Sequence, residues 1–207
     1  IEYMNELTKS DLGEYMQPNF WPNTPDINPY HLQGANESTY LQRYTLAATL
    51  SSSIGIYGPV FEYMISDALP GKEEYLNSEK FQTCHYDWTT ENKITTLISK
   101  INAIRNNNEA LQQTNNIEFC NIENNNLIAF YKWNNDKTNQ LLIIISLDPY
   151  YAQQGMLQLP LHNLGVSEGQ QIQVHDLVTG SSYNWYSEWN FIELHPTLPF
   201  HIFNIKK

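Results

Sequence analysis

"QQTNNIEFCNIENNNLIAFYKW", residues 112–133, marks the point at which the chain changes its hydrophobic period. Upstream, apolar residues recur at three- and four-residue spacing. Downstream they come in short runs cut by polar turns: "IEFCNIE", "NLIAFYKW", "QLLIIISL", "GMLQLPL", "QIQVHDL", "SSYNW", "NFIELHP" and "FHIFNI". Turn-rich pieces such as "NNDKTN" and "VTGSS" separate them. Eight strand-length runs in about 90 residues predict an antiparallel sandwich or barrel. "MLQLPL" alternates strictly, which predicts one wet face for its strand. The all-β unit is therefore assigned to residues 114–207.

Working back from that boundary, "TTENKITTLISKINAIRNNNEAL" (residues 89–111) has the helical period, with Ile94, Leu97, Ile98, Ile101 and Ile104 on one stripe. Thr89 or Thr90 is the expected cap, with Glu91 in the first turn. "SIGIYGPVFEY" (residues 53–63) reads as a short strand stopped by Gly58-Pro59. "ANESTYLQRYTLAATLSSS" (residues 35–53) reads as a helix capped around residues 36–38 that buries Tyr40, Leu41, Tyr44, Ala47 and Ala48. "IEYMNELTK" is a further helical piece at the start. In order these give helix, strand, helix, strand, long connection, helix. That is the rhythm of the last turns of a (β/α)8 barrel, which needs roughly 250 residues when complete. Residues 1–113 are thus expected to be the C-terminal segment of a TIM barrel, its last two strands with their helices. The expected class is α+β, a barrel segment followed by an antiparallel β-sandwich. The opening Ile1, in place of Met, fits a C-terminal excerpt of a larger enzyme.

Composition narrows the partners. The 207 residues carry a net charge of −11 with only 11 Lys and Arg, which argues against nucleic acid or an anionic membrane as partner. The longest apolar stretch, "LLIIISL", is of strand length and not a membrane span. Cys84 and Cys120 have no CxxC spacing and are expected to be two buried thiols of a cytoplasmic protein. The six histidines show no HxxxH or HxH grouping, so neither a metal nor a cofactor is expected.

Two loops carry candidate chemistry. In "PNFWPNTPDINP" (residues 18–29) a single acid, Asp26, stands among prolines and asparagines. Pro22, Pro25 and Pro29 restrict the backbone and lower the entropy lost in fixing the loop. Read alone, it is either a rigid mount for a carboxylate or a surface loop whose Asp caps the following turn. "GKEEYLNSEKF" (residues 71–81), read alone, is an exposed loop of charges.

Six collinear blocks add a family. "PNFWPNTPDI", "LAATLSSSIGIYGPVFEY", "EEYLNSEKF", "INAIRNNNEALQQ", "SLDPYYAQQGMLQLPL" and "VHDLVTGSSYNW" occur in this order, within a resemblance that runs from about residue 2 to residue 205. Together they resemble the C-terminal part of the maltosyltransferases that extend α-1,4-glucan from maltose 1-phosphate, a branch of the α-amylase superfamily of glycoside hydrolases. The resemblance implies a barrel with a carboxylate nucleophile after its fourth strand and a Glu acid/base after its fifth. A third carboxylate, after the seventh, steadies the distorted sugar. Asp26, in Asn23-Thr24-Pro25-Asp26, matches that third acid. The His of the Asn-His-Asp motif of ordinary amylases is absent, which favours transfer over hydrolysis.

By the same resemblance Lys80 meets sugar hydroxyls or the donor phosphate, with Asn23, Glu62 and Phe81 also about the substrate. Asn77 and Phe81 stand where the family often has Asp and Tyr. Glu62 supports the site from behind or closes a buried strand end against an Arg. Arg43 is expected in an ion pair, Trp21 on a sugar face or in the core, and Trp185 and Trp189 in the core. The nucleophile and acid/base are expected upstream of Ile1, so the chain alone is expected to be inert. "NFWP" and "SIGIYG" would then meet the missing N-terminal part of the barrel, and the branch also allows a homodimer. Two other readings remain open: a fragment of an α-amylase-type hydrolase, and a non-catalytic carbohydrate-binding module.

Overall fold

A computed structural model describes residues 1–79 and 83–206. The chain enters through helix α1 (Glu2–Lys9), which buries Met4 and Leu7, and the short α2 (Leu12–Tyr15). Strand β1 (Asn19–Phe20) follows, then helix α3 (Glu37–Leu50) and strand β2 (Ser53–Ile54). Helix α3 starts where Asn36 Oδ1 accepts the Thr39 amide at 3.1 Å, a side-chain cap that satisfies one otherwise orphaned N–H. It stops where Ser51 turns extended and its hydroxyl donates to the Pro18 carbonyl at 2.8 Å. That bond brings the two strands together. Asn19 lies opposite Ser53 and Phe20 opposite Ile54 in a parallel pair, with α3 as the crossover that parallel strands require.

After β2 the chain departs from the expected strand. Gly58-Pro59 opens a short helix, α4 (Gly58–Glu62), and does not merely stop a strand. Proline suits a first helical turn because its missing N–H has no partner there anyway. Helix α5 (Lys93–Asn107) buries the five stripe residues as expected, but its cap is Asn92. Asn92 Oδ1 accepts the Thr95 amide at 2.9 Å while Thr95 Oγ1 accepts the Asn92 amide at 3.2 Å. Thr89 and Thr90 are instead bound to the Asp87 carboxylate, at 3.0 and 3.1 Å.

All eight downstream runs are strands: β3 (Ile117–Cys120), β4 (Leu127–Trp133), β5 (Gln140–Ser146), β6 (Gln153–Gln158), then after the single-turn α6 (Leu161–Leu164), β7 (Ile172–Asp176), β8 (Ser182–Trp185), β9 (Trp189–Leu194) and β10 (Phe200–Lys206). Six form one antiparallel sheet in the order β3-β4-β5-β10-β7-β8, and β6 pairs with β9 in a second, two-stranded layer. Leu142, Ile144, Phe203 and Ile205 face Leu157, Ile192 and Leu194 of that small layer. On the opposite face Leu141, Ile143, Ile145, Phe130 and Ile202 share a core with Leu41, Tyr44, Ile98 and Ile101 of the two long helices. Both faces of β5 are thus covered, which is why "LLIII" is apolar without alternation.

Three cations cap backbone carbonyls, and two of them, Lys132 and Lys9, join the halves. The Arg105 guanidinium donates to Ala48, Ser51 (3.0 Å) and Ser52 (2.9 Å). Lys132 Nζ donates to the Gln113 carbonyl at 2.8 Å and Lys9 Nζ to that of Ile117 at 2.6 Å. Cys84 and Cys120 are half-buried, less enclosed than expected. Among the described residues no helix is long and apolar enough to cross a membrane.

Candidate functional site

The loop after β1 is held from two sides. Asn23 is only 2% exposed. Its Oδ1 accepts the Tyr57 amide at 2.9 Å, and its Nδ2 donates to the Tyr75 hydroxyl at 2.9 Å and the Tyr57 carbonyl at 3.4 Å. Five residues on, the Asn28 amide donates to the Glu73 carbonyl at 3.0 Å and Asn28 Nδ2 to the Ser66 carbonyl at 2.9 Å. Between these anchors Thr24 and Ile27 exchange backbone hydrogen bonds of 3.2 and 3.3 Å, and Thr24 Oγ1 accepts the Ile27 amide at 3.0 Å. Pro25-Asp26 is the tip of that turn. The side chain serving the turn is Thr24, and no donor among the described residues reaches Asp26. The cap reading of Asp26 therefore fails.

Asp26 is exposed and lines an open cavity of about 560 Å³ with Ile27, Leu69, Glu74 and Tyr75. A second cavity of about 430 Å³ adjoins it, sharing Tyr75 and Ser78 and lined further by Tyr57, Asn77 and Tyr86. The Tyr57 hydroxyl donates to the Glu79 carboxylate, and burial together with that bond raises the Tyr57 phenol above its usual range. Burial, partly opposed by the hydrogen bond from Asn23, pushes Tyr75 up to about 12, so its hydroxyl stays protonated.

The remaining candidates separate. Lys80 and Phe81 lie outside the described residues. Glu62 is half-buried at the end of α4, lines neither cavity and forms no ion pair among the described residues, so the Arg-paired strand end expected of it is absent. Arg43 makes no ion pair among the described residues either: its Nε is buried without a partner there, in a groove of about 550 Å³ with Tyr3, Phe20, Trp21, His31 and Leu46. Burial, then the Arg43 charge, holds the His31 imidazole below its usual range. Trp21 is 45% exposed and lies flat on Gly55, where an added Cβ would come within 2.3 Å of the indole. It belongs to that groove and not to the cavity of Asp26. Trp185 packs edge-on against Phe203 at 5.6 Å. Among the described residues no three His, Cys, Asp or Glu side chains gather as metal ligands would. Tyr57, Tyr75, Glu74 and Tyr86 were not singled out from sequence. For Glu74 and Tyr75 the signal was their place in the candidate loop 71–81, and for Tyr57 and Tyr86 the density of aromatic residues between 57 and 88.

The fold is similar to that of solved structures that include an α-amylase. The structure superposes on a maltogenic α-amylase, AmyB of Thermotoga neapolitana, with a TM-score of 0.67 at 13% identity over 99% of this chain and 46% of that one. A Glu-to-Gln variant of AmyP in complex with maltotriose gives a TM-score of 0.67 at 17% identity, over 93% of this chain and 42% of that one. Residues 119–205 match the family model described as "GLGE, C-terminal". The chain is 43% identical, over 99% of its length, to 32% of the alpha-1,4-glucan:maltose-1-phosphate maltosyltransferase of Chlorobaculum tepidum. For the Salinibacter ruber protein of that name the figures are 37%, 99% and 30%. The chain is similar over nearly its whole length to part of these maltosyltransferases and spans about a third of the length of the curated relatives it matches.

Proposed function

We propose that the chain is the C-terminal part of a retaining glycosyltransferase that moves a maltosyl unit from maltose 1-phosphate to the non-reducing end of α-1,4-glucan. In this reading residues 1–113 are the last two strands of a (β/α)8 barrel with their helices, and 114–207 are the sandwich packed on it. The parallel β1–α3–β2 unit supports the barrel assignment. The observation that carries the function is Asp26: a carboxylate at the tip of a turn tied down on both sides, facing a cavity, with its lone pairs unclaimed by described donors.

Glycosyl transfer passes through an oxocarbenium-like state with positive charge on C1 and the ring oxygen. A carboxylate elsewhere in the enzyme attacks C1, the C1–O bond to phosphate breaks, and phosphate leaves with the bonding electrons. The 4-hydroxyl of the glucan then attacks C1, gives its proton to the acid/base Glu and frees the first carboxylate, so configuration is retained. Asp26 accepts hydrogen bonds from the hydroxyls of the distorted ring. Because its turn cannot relax, that stabilisation is available without reorganisation. Asn23 acts through the turn it clamps. By the resemblance Lys80 and Phe81 are assigned to the donor, with Glu62 supporting them from behind. The nucleophile and acid/base belong to the portion of the relatives beyond this chain. The Arg43 groove, apolar with one unmatched cation, is the face that meets that portion.

Phosphate release from maltose 1-phosphate with maltoheptaose as acceptor tests this. In the whole enzyme Asp26→Asn lowers kcat by about 10²- to 10³-fold with little change in KM, the scale of losing one preorganised stabilising group. Wild-type kcat in that variant overturns the assignment. The 207-residue chain alone releases no phosphate, and turnover by it overturns the division of labour. Liberation of reducing ends from starch, with no dependence on the phosphorylated donor, would instead support the hydrolase reading.

A further inference from the structure

We infer that the cavity beside Tyr86, and the aromatic surface of Tyr63, Tyr86 and Trp88 at its edge, bind a run of α-linked glucose units. The cavity of Asp26 and this one share Tyr75 and Ser78, so they lie side by side. The rings of Tyr63 and Tyr86 are parallel to within 1° with centroids 6.1 Å apart, and Trp88 stands 6.3 Å from Tyr86 at 69°. Trp88 is 73% exposed, an indole that gains almost nothing from burial within the chain.

This surface is held in place before any ligand arrives. The Tyr63 hydroxyl donates to the Asp87 carbonyl at 2.5 Å, and the Asp87 carboxylate binds Thr89 Oγ1 at 2.6 Å and Thr90 Oγ1 at 3.1 Å. The segment that carries Tyr86 and Trp88 is therefore fixed at the residue between them. Little side-chain or loop entropy is lost on binding.

The chemistry around the cavity selects an uncharged polyol. Its described walls include the rings of Tyr57, Tyr75 and Tyr86, apolar Val60 and Ile65, the amide of Asn77, the hydroxyl of Thr83 and the imidazole of His85. The Glu79 carboxylate on Tyr57 would repel a phosphate. A glucan presents apolar ring faces bordered by hydroxyls, which matches flat aromatic rings alternating with polar groups. The direction of the glucan, toward Asp26, rests on the transferase reading. The binding itself does not.

Calorimetric titration of the 207-residue chain with maltoheptaose, with inorganic phosphate as counter-probe, tests the inference. Saturable binding of maltoheptaose is expected, weakened about tenfold (about 1.4 kcal/mol) in Trp88→Ala and in Tyr86→Ala. It should be kept in Trp88→Phe and in Trp185→Ala on the far sheet. Trp88 is exposed, so its variant folds, and it decides alone if Tyr86→Ala does not. Absence of saturable binding, unchanged affinity in Trp88→Ala, or phosphate binding that Trp88→Ala abolishes each overturns the inference. If Asp26→Asn leaves transfer intact in the whole enzyme while Trp88→Ala weakens maltoheptaose binding, the transferase mechanism falls and this site stands. The reverse pair of results has the opposite meaning.

Discussion

Asn23 shows how a residue's part in a site can differ from the part its neighbour plays. Both of its amide protons and its carbonyl oxygen are taken up by Tyr57 and Tyr75, so it fixes the position of Asp26 without facing the cavity. Asn23→Ala leaves the Tyr57 amide without its acceptor and should cost about 1–3 kcal/mol of stability, read from the denaturant midpoint. Lys132 makes a pH prediction. Burial, then the charges of Arg105 and Lys9, brings its ammonium down to about 7. The unfolded chain therefore binds more protons than the folded one from about pH 7 upward, and stability rises with pH. Urea midpoints at pH 7 and pH 9 should show that rise, and Lys132→Met should flatten it. Asp176 has the opposite sign. Burial works against its charge, but His201 at 2.9 Å, the Val178 amide and Thr179 outweigh it and lower its pKa. Its contribution is present above the ordinary carboxylate range and lost as pH falls through the folded value. Asp176→Asn should therefore narrow the gap between neutral and acid stability. The rigidity of the Asp26 mount was legible in its prolines, but the work of Asn23 was not, because its partners lie 34 and 52 residues away.

At the scale of elements, period was the reliable signal and ends were not. The stripe from Ile94 to Ile104 is buried as its spacing requires. The cap moved to Asn92 because Thr89 and Thr90 have a competing acceptor in Asp87, which closes a turn of its own just upstream. Asn92→Ala should destabilise the chain by about 1 kcal/mol, and Thr89→Ala or Thr90→Ala should cost less, measured by thermal unfolding. The run from Ser53 was misjudged because "GP" both ends a strand and opens a helix, and here it does the second within four residues of the first. Locally each outcome satisfies the backbone. The choice is made by Phe61, which α4 delivers into the core beside Tyr40 and Tyr44.

The eight downstream strands were all legible, yet their order in space was not. Nothing in "FHIFNI" says that it lies between β5 and β7, because pairing partners are a long-range matter that local period does not encode. Nor did the change of period at residue 113 reveal that one core runs across it, joining Ile101 and Tyr44 to Ile143 and Ile202. Ile143→Ala, in that shared core, should cost about 2–5 kcal/mol, and the helices and sheet should melt together in a single calorimetric transition. The central place of β10 has a consequence for synthesis. Until residues 200–206 have been made, β3-β4-β5 and β7-β8 have no strand to join them. A ribosome paused before residue 200 should therefore hold a nascent chain that proteases still cut within the sandwich, protection coming only with the final seven-residue strand.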